Sequence, residues 1–471
     1  MLKNSRFICF LSIFLLITID AFCQGRGAIF DEEYDNLPRR AELSGRAYEG
    51  LPASYSLRLY APLPGDQADY GTCVAWAAAY GARTISESIA LNRLNQSETT
   101  QNAFSPVYIY RNARPDDPGC LRGMQIYRAL DYMRDVGTVK MHDTERTVSF
   151  PRVNLAYYRT LKNYPIADYV TLFSRDERKK PALITRIVKK SISEGKPVII
   201  GMNAPDSFTA ATEVWRPTED PSVFYYGHAL CVIGYDDSKY GGSFEVLNSW
   251  GRKWGNGGYI WIPYDTFVDF VTEGYEIIEN IMNFSGTNKF DGFVRVTRNS
   301  QRVETGKEET VALTLDQNIY TTTESLPEGT QVRFTVGSRE SAYIYSFTVS
   351  QPRNNNNLYS PALLFPQANL SPLLNYSDSA VNLPNEGRYV NLDTQGATYL
   401  ITLYAKYSLD ITAVMRAFAS ASGSVNKRLA AAIGNGYTTA LSYSADEAAF
   451  TLTLDNPRSV AALVVAIRHG D

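Results

Sequence analysis

The strongest candidate for chemistry in this sequence is a cysteine at the start of an alanine-rich helix. Cys73 follows a polar, glycine-containing loop and opens a proline-free run of good helix formers that continues to Ile89. A thiol in the first turn of a helix lies near the positive end of the helix dipole, which favours the nucleophilic thiolate. The alternative is a buried cysteine that acts as a small hydrophobe. Cys73 alone does not decide between them.

A histidine and an asparagine stand where they can complete a thiol site. His228 begins one apolar strand pattern and Asn248 ends the next. Antiparallel pairing would bring Asn248 beside His228, where its amide oxygen can hold the imidazole in one tautomer. A structural histidine at a strand edge is the alternative. The only other histidines are His142 and His469, and no CxxC or HExxH spacing occurs, so we expect neither a metal nor a cofactor.

The elements that must position these residues are predicted to be helices first along the chain and strands second. Apolar spacing predicts helices over 73–89, 126–136 and 183–194, and short apolar runs predict strands over 198–201, 229–235, 244–248 and 259–263. This order predicts an α+β unit of two halves, with a ligand site in the cleft between them. From about residue 299 the pattern alternates apolar and polar residues at period two, which predicts an all-β, sandwich-like domain.

The N-terminus predicts export. Lys3 and Arg6 precede an apolar run from Phe7 to Ile19, which is short for a membrane span and fits a signal peptide ending at Cys23. A lipid anchor on Cys23 is disfavoured because Phe22 and Asp20 do not fit its motif. We therefore expect an exported protein without a membrane span.

The expected organisation is a signal peptide (1–23), a short surface arm (24–50), a first domain (51–285), a linker (286–300) and a β-domain (301–471). A net charge of −3, from 46 basic and 49 acidic residues, indicates no nucleic-acid partner. The mature chain keeps the odd set Cys73, Cys120 and Cys231, so at least one thiol is expected to stay free.

Several motifs together carry a family resemblance. Gln67 stands six residues before Cys73, Gly119-Cys120 precedes Gly123, and Asn248-Ser249-Trp250-Gly251 follows Gly227-His228-Ala229. In this order the motifs resemble papain-family cysteine peptidases, over roughly residues 50–285, and the Asn-Ser-Trp-Gly block is the most specific of them. The β-domain is similar to a domain of unknown function that is often attached to bacterial peptidases.

The resemblance implies a role for each matching residue. Cys73 would be the nucleophile, His228 its proton partner and Asn248 the residue that orients the ring. Gln67 would form the oxyanion hole with the backbone N–H of Cys73. Trp250 would shield the His228–Asn248 hydrogen bond. Gly123 would pair with an extended peptide substrate, and Met124 and Gln125 would lie near the pocket for its second residue. Together with Trp250, these three residues are the substrate-binding candidates.

Departures from the family pattern keep alternatives open. Tyr70 stands where the family has a cysteine that bonds the counterpart of Cys120, and Arg122 replaces a glycine of the substrate-binding strand. The arm is too short for the family's long inhibitory pro-segment. We therefore expect a peptidase acting on peptides or proteins, and retain two alternatives: a non-catalytic binding or surface protein on the same scaffold, and an acyltransferase or deamidase using the same thiol. The partner of the β-domain is not predicted.

Overall fold

The computed structural model describes residues 25–144, 161–279, 289–299, 308–352, 361–385, 387–392, 395–454, 456 and 458–470. The expected signal peptide, residues 1–23, lies outside the described residues. Within these ranges, no helix combines the length and apolar character needed to cross a membrane.

The first domain is organised around an antiparallel sheet of seven described strands. The strand order is β2-β7-β3-β4-β5-β6, and β1 pairs with the far end of β4. The strands are β1 Ser54–Ser56, β2 Asp168–Thr171, β3 Val198–Asn203, β4 Gly227–Asp236, β5 Ser243–Leu247, β6 Tyr259–Pro263 and β7 Val271–Ile278. The α+β expectation is confirmed, and β1, β2 and β7 are additions to the predicted strands.

One helix enters the centre of this domain. Helix α1 runs from Cys73–Ala75 through a π-helical segment, Trp76–Arg83, to Thr84–Ala90. Every residue from Cys73 to Arg83 is buried, because the alanine-rich run lets neighbouring elements approach from all sides. The other helices of the domain are α2 Gln96–Gln101, α3 Pro106–Ala113, α4 Ile126–Asp135, α5 Met141–Thr144, α6 Pro181–Ser193, α7 Asp206–Thr209 and α8 Tyr264–Phe270.

The continuous apolar run of β4 follows from its position. This strand packs against both α1 and α6, and all its residues except Asp236 are buried. A strand covered on both faces reads as an unbroken apolar run rather than an alternating one. Its first residues, Gly227 and His228, therefore lie at the point where α1 begins.

The C-terminal domain is a β-sandwich of two sheets, as expected. Ring contacts of Tyr404 with Phe290 and Phe450 join the two inner faces. One sheet has the order β10-β11-β21-β18-β13-β14 with β15 on β13, and the other has β16-β12-β8-β20-β19 with β9 on β8 and β17 on β12. Two helices, α9 Ile411–Ser420 and α10 Val425–Ile433, cover the outer face of the first sheet through Phe418 and Leu429.

The sandwich strands begin earlier than the expected boundary at residue 301. Residues 289–299, expected as part of a linker, form the strand β8, which pairs with both β12 and β20. The strands are β8 Lys289–Asn299, β9 Glu308–Thr310, β10 Leu313–Asp316, β11 Ile319–Thr322, β12 Thr330–Ser338, β13 Ala342–Pro352, β14 Ala362–Phe365, β15 Leu373–Leu374, β16 Ser379–Leu383, β17 Val390–Leu392, β18 Gly396–Ala405, β19 Ser442–Tyr443, β20 Ala449–Thr453 and β21 Val460–His469.

Residues 25–50, called the arm below, do not lie wholly on the surface as expected, because parts of the arm are buried against both domains. The backbone at Arg39 bridges the two domains: its N–H donates to Asn369 O (2.8 Å), and its carbonyl accepts from the N–H of Ser371 (2.7 Å). One residue on, the Arg40 N–H donates to Thr171 O of the first domain (2.9 Å). The arm thus lies between the domains at this point.

The side chain of Arg40 is buried in the same joint. Its guanidinium lies 3.7 Å from a carboxylate oxygen of Glu276 and 4.5 Å from the ring centre of Tyr376, and it donates to Ser191 Oγ at 3.2 Å. Glu276 also accepts hydrogen bonds from Asn375 Nδ2 (2.6 Å) and from the Tyr376 hydroxyl. Residues of both domains and of the arm therefore share one buried ion pair.

Candidate active site

The predicted catalytic residues meet at the start of α1 and β4. Cys73 is the first residue of α1, and His228 is the second residue of β4. Asn248 follows β5 directly, and β5 pairs with β4 in a register that sets Leu247 opposite Cys231. Cys73, His228, Asn248 and Gln67 are all buried. The two domain halves thus bring together residues that are far apart in the sequence.

The imidazole of His228 is held in one orientation. Its Nε2 lies 2.9 Å from Asn248 Oδ1, and this oxygen also accepts the N–H of Ser249 at 2.8 Å. Because an amide oxygen can only accept, Nε2 carries the proton and Nδ1 presents a lone pair. Nδ1 is buried and has no hydrogen-bond partner among the described residues. It is the ring nitrogen left to take a proton from a neighbouring thiol.

Aromatic rings cover this histidine. Trp250 stacks on His228 with 4.4 Å between ring centres, and Phe208 contacts both rings. Trp254 contacts Phe208 and Trp250 in turn. The predicted neighbour Trp250 therefore lies over the imidazole, and the rings around it keep water away from the His228–Asn248 hydrogen bond.

The side chain of Gln67 is fixed at both ends. Its Oε1 accepts from Ser249 Oγ at 2.5 Å, so its Nε2 must point in the opposite direction, where it donates to Gly25 O at 2.9 Å. The same Gly25 carbonyl accepts from Trp250 Nε1 at 3.0 Å. A carbonyl oxygen of the arm thus occupies the donor that the sequence assigns to an oxyanion.

Residues 25–30 of the arm fill the cleft. The Gly27 carbonyl accepts from Met124 N (2.9 Å), and Ile29 N donates to Met124 O (3.1 Å), as in a parallel strand pair. On the other bank Ala28 N donates to Gly227 O at 3.1 Å. The backbone of Gly27 also faces the Cys73 thiol. Substrate cannot reach the thiol while these residues are in place.

Glycines make this close fit possible. A Cβ on Gly27 would lie 2.3 Å from Gly71 O, and a Cβ on Gly123 would lie 2.1 Å from Gly27 O. Gly123 also has a φ of +74°, which favours glycine. Gly123, predicted to pair with an extended peptide, therefore lies against the arm, while its neighbour Met124 supplies both hydrogen-bonding groups. Gln125 is partly exposed just before α4.

Burial favours the neutral forms of Cys73 and His228. Burial raises the pKa of the Cys73 thiol to about 11, against the opposing effect of nearby backbone N–H groups such as that of Gly27. Burial also lowers the pKa of His228 to about 3, against its hydrogen bond with Asn248, and the positive charge of Arg26 lowers it further. The covered site therefore holds a thiol and a neutral imidazole.

Two departures from the family pattern have structural outcomes. Cys120 is a free, buried thiol, as are Cys73 and Cys231. Arg122 does not enter the cleft: its guanidinium lies 3.0 Å from Asp116 and 3.7 Å from Asp117. Sequence reasoning missed Ser249 as the partner of Gln67, and it missed the arm. The small residues of Gly25-Arg26-Gly27-Ala28 were the available signal for close backbone contact.

Comparisons with known proteins find relatives for the first domain. Residues 63–276 match the family model described as papain family cysteine protease. An uncharacterized peptidase C1-like protein of Acanthamoeba polyphaga mimivirus is 28% identical over 216 residues, which cover 43% of this chain and 65% of that protein. A cathepsin L-like peptidase of Aedes aegypti is 28% identical over 148 residues, covering 30% of this chain and 40% of that protein.

The chain thus spans less than two thirds of the length of these curated relatives. Among solved structures, xylellain, a cysteine protease from Xylella fastidiosa, is 20% identical with a TM-score of 0.43, covering 55% of this chain and 97% of that one.

Proposed function

We propose that this chain, which belongs through residues 63–276 to the papain family of cysteine proteases, is an exported peptidase that hydrolyses peptide bonds with Cys73. The observation that carries the proposal is the fixed imidazole. Asn248 Oδ1 holds the Nε2–H of His228, which leaves Nδ1 as a bare base in a buried site with a thiol at a helix start.

In the proposed mechanism, His228 Nδ1 takes the Cys73 proton, and the thiolate attacks the substrate carbonyl carbon. Gln67 Nε2 and the backbone N–H of Cys73 stabilise the resulting oxyanion, where losing one such donor costs about 3–4 kcal/mol of transition-state stabilisation. The imidazolium then returns the proton to the leaving amine, and water hydrolyses the thioester. Residues 25–30 must leave the cleft before substrate can enter.

The test uses a chain in which the arm is excluded from the cleft. The variant Gly27→Ala places a methyl group where Gly71 O already lies, so residues 25–30 cannot occupy their site. We expect this chain to cleave internally quenched peptides and the double variant Gly27→Ala/Cys73→Ala to cleave none. The matched control is Gly27→Ala/Cys120→Ala, because Cys120 is also a buried free thiol and should be dispensable.

A second candidate is a non-catalytic protein on the same scaffold, favoured by the filled cleft and the neutral Cys73–His228 pair. Rapid iodoacetamide labelling of Cys73 in the Gly27→Ala chain at mildly acidic pH would contradict it, because only a thiolate reacts quickly there. Rapid labelling without cleavage of any peptide would instead favour acyl transfer or deamidation by the same thiol. Slow, equal labelling of Cys73, Cys120 and Cys231 in the Gly27→Ala chain would overturn the peptidase proposal.

A further inference from the structure

The arm places a positive charge at one particular point of the cleft. The Arg26 guanidinium donates two hydrogen bonds to Asp206 Oδ1, at 3.2 and 3.1 Å, and lies 4.4 Å from the ring centre of Tyr226. The Arg26 side chain is only 12% exposed, although the Asp206 side chain is 85% exposed. The Arg26 side chain is therefore largely covered, while its anionic partner stands on the rim of the cleft.

The position of this cation relative to the nucleophile is defined by its neighbours in the arm. Gly25 directs its carbonyl to Gln67 and Trp250, and Gly27 faces the Cys73 thiol. Arg26 lies between them, near enough to His228 for its charge to lower the pKa of the imidazole. In the proposed mechanism His228 gives its proton to the leaving amine. Arg26 thus marks the side of the cleft that holds the leaving part of a substrate.

We propose that Asp206 and Tyr226 form a subsite for a basic side chain, and that the enzyme prefers arginine or lysine immediately after the cleaved bond. This inference rests on the proposed peptidase function. A carboxylate beside an aromatic face suits a guanidinium, which can donate to the one and stack on the other. Both contacts are with the guanidinium alone, so they do not depend on the direction of the peptide backbone.

A neighbouring carboxylate adds negative charge to the side of the cleft that carries Asp206. Glu219 accepts from the backbone N–H of Ser207 at 3.2 Å and from its hydroxyl at 2.9 Å, and these hydrogen bonds lower the pKa of Glu219 against the effect of burial. It therefore stays ionised and fixes the turn that carries Asp206. When the arm leaves, Asp206 loses its cation and becomes available to a substrate.

The first test compares peptides that differ only at the residue after the cleaved bond. With the Gly27→Ala chain, we expect kcat/KM for arginine to exceed that for glutamine by about three- to tenfold, since the contacts are an exposed ion pair and a cation–π contact. Asp206→Asn should bring this ratio close to one, whereas Asp220→Asn, an exposed carboxylate on the same segment, should leave it intact. The subsite proposal would be overturned if the Gly27→Ala chain showed no preference for arginine, or if Asp206→Asn left that preference unchanged.

A second test does not require turnover. In the chain with Gly27 intact, Arg26→Ala and Asp206→Asn should each increase the labelling rate of Cys73 by about threefold, because each removes the contact that holds the arm. The double variant should label no faster than either single variant. An effect of Arg26→Ala without one of Asp206→Asn would overturn the subsite. If the labelling rates of the two single variants and the double variant are as expected but no peptide is cleaved, the peptidase proposal fails and the cation site stands.

Discussion

The part of the arm from residue 25 to Arg40 is anchored at both of its ends, but by different means. Residues 25–30 are held in the cleft through hydrogen bonds of their backbone groups, with one exposed ion pair at Asp206. At the other end, the Arg40 and Glu276 side chains are 2% and 1% exposed and are enclosed by both domains. Residues 25–30 are held by backbone groups whose partners water can replace. Arg40 is held by an ion pair that water cannot reach.

This difference indicates which end can move. A backbone hydrogen bond contributes about 1 kcal/mol net, because water takes the place of the lost partner. Separating a buried ion pair leaves an uncompensated charge in a low-dielectric interior, which costs several kcal/mol. The cleft end can therefore detach while the end between the domains stays in place. The arm would then stay attached at Arg40 after residues 25–30 have left Cys73.

The largest effect is expected at the end between the domains. Arg40→Ala leaves Glu276 buried without its cation, which should lower the free energy of unfolding by about 3–5 kcal/mol. The adjacent Arg39 is the matched control: its side chain is 27% exposed and lies 3.9 Å from Glu177, so Arg39→Ala should cost less than about 1 kcal/mol. Urea unfolding followed by tryptophan fluorescence measures both. Equal losses in the two variants would contradict the comparison.

A smaller effect on stability is expected at Glu273, a residue of β7 that contacts the arm at Asp31. This fully buried carboxylate accepts the N–H of Asp31 at 2.7 Å, and burial raises its pKa to about 7, against this hydrogen bond. Its folded pKa lies above its unfolded value of 4.5, so its contribution to stability is complete below pH 4.5 and is lost as the pH rises through 7.

The expected loss is about 3 kcal/mol between these limits. Glu273→Gln cannot ionise, so its stability should fall less than that of the parent between pH 5 and pH 8. Urea titrations of both chains at the two pH values provide the comparison. A parallel decline in parent and variant would show that Glu273 does not ionise in this range.

The smallest change in free energy is expected for a substitution in the cleft, where the labelling rate of Cys73 measures it. Gly27→Ala should increase iodoacetamide labelling of Cys73 at pH 6 by tenfold or more, equivalent to about 1.4 kcal/mol, because an uncovered pair can form the thiolate and imidazolium. Gly45→Ala is the control on the same arm, since a Cβ at Gly45 meets no atom within 4 Å. Intact-mass spectrometry followed by peptide mapping gives both rates. Equal labelling in the two variants would mean that the arm does not protect the thiol.

The sequence predicted which residues meet in the cleft better than it predicted what covers them. Cys73, His228 and Asn248 each begin or follow a regular element, so local patterns place them and strand pairing joins them. The arm carries no such periodicity, because its contacts are made by backbone groups and glycines. The pairing of Arg40 with Glu276 joins distant segments and leaves no local signal. Strand β8, by contrast, alternates buried and partly exposed residues, so its period of two was available in the sequence.

The attachment of the arm at Arg39 and Arg40 sets how strongly the cleft is occupied. A segment tethered by a short connection meets its site at an effective concentration on the order of millimolar, whatever the concentration of the protein. Even a segment with weak intrinsic affinity would then fill the cleft, and dilution would not release it. A cut anywhere in residues 31–38 would end this advantage. Residues 25–30 would then no longer be tethered at Arg39 and Arg40, and dilution would release them from the cleft.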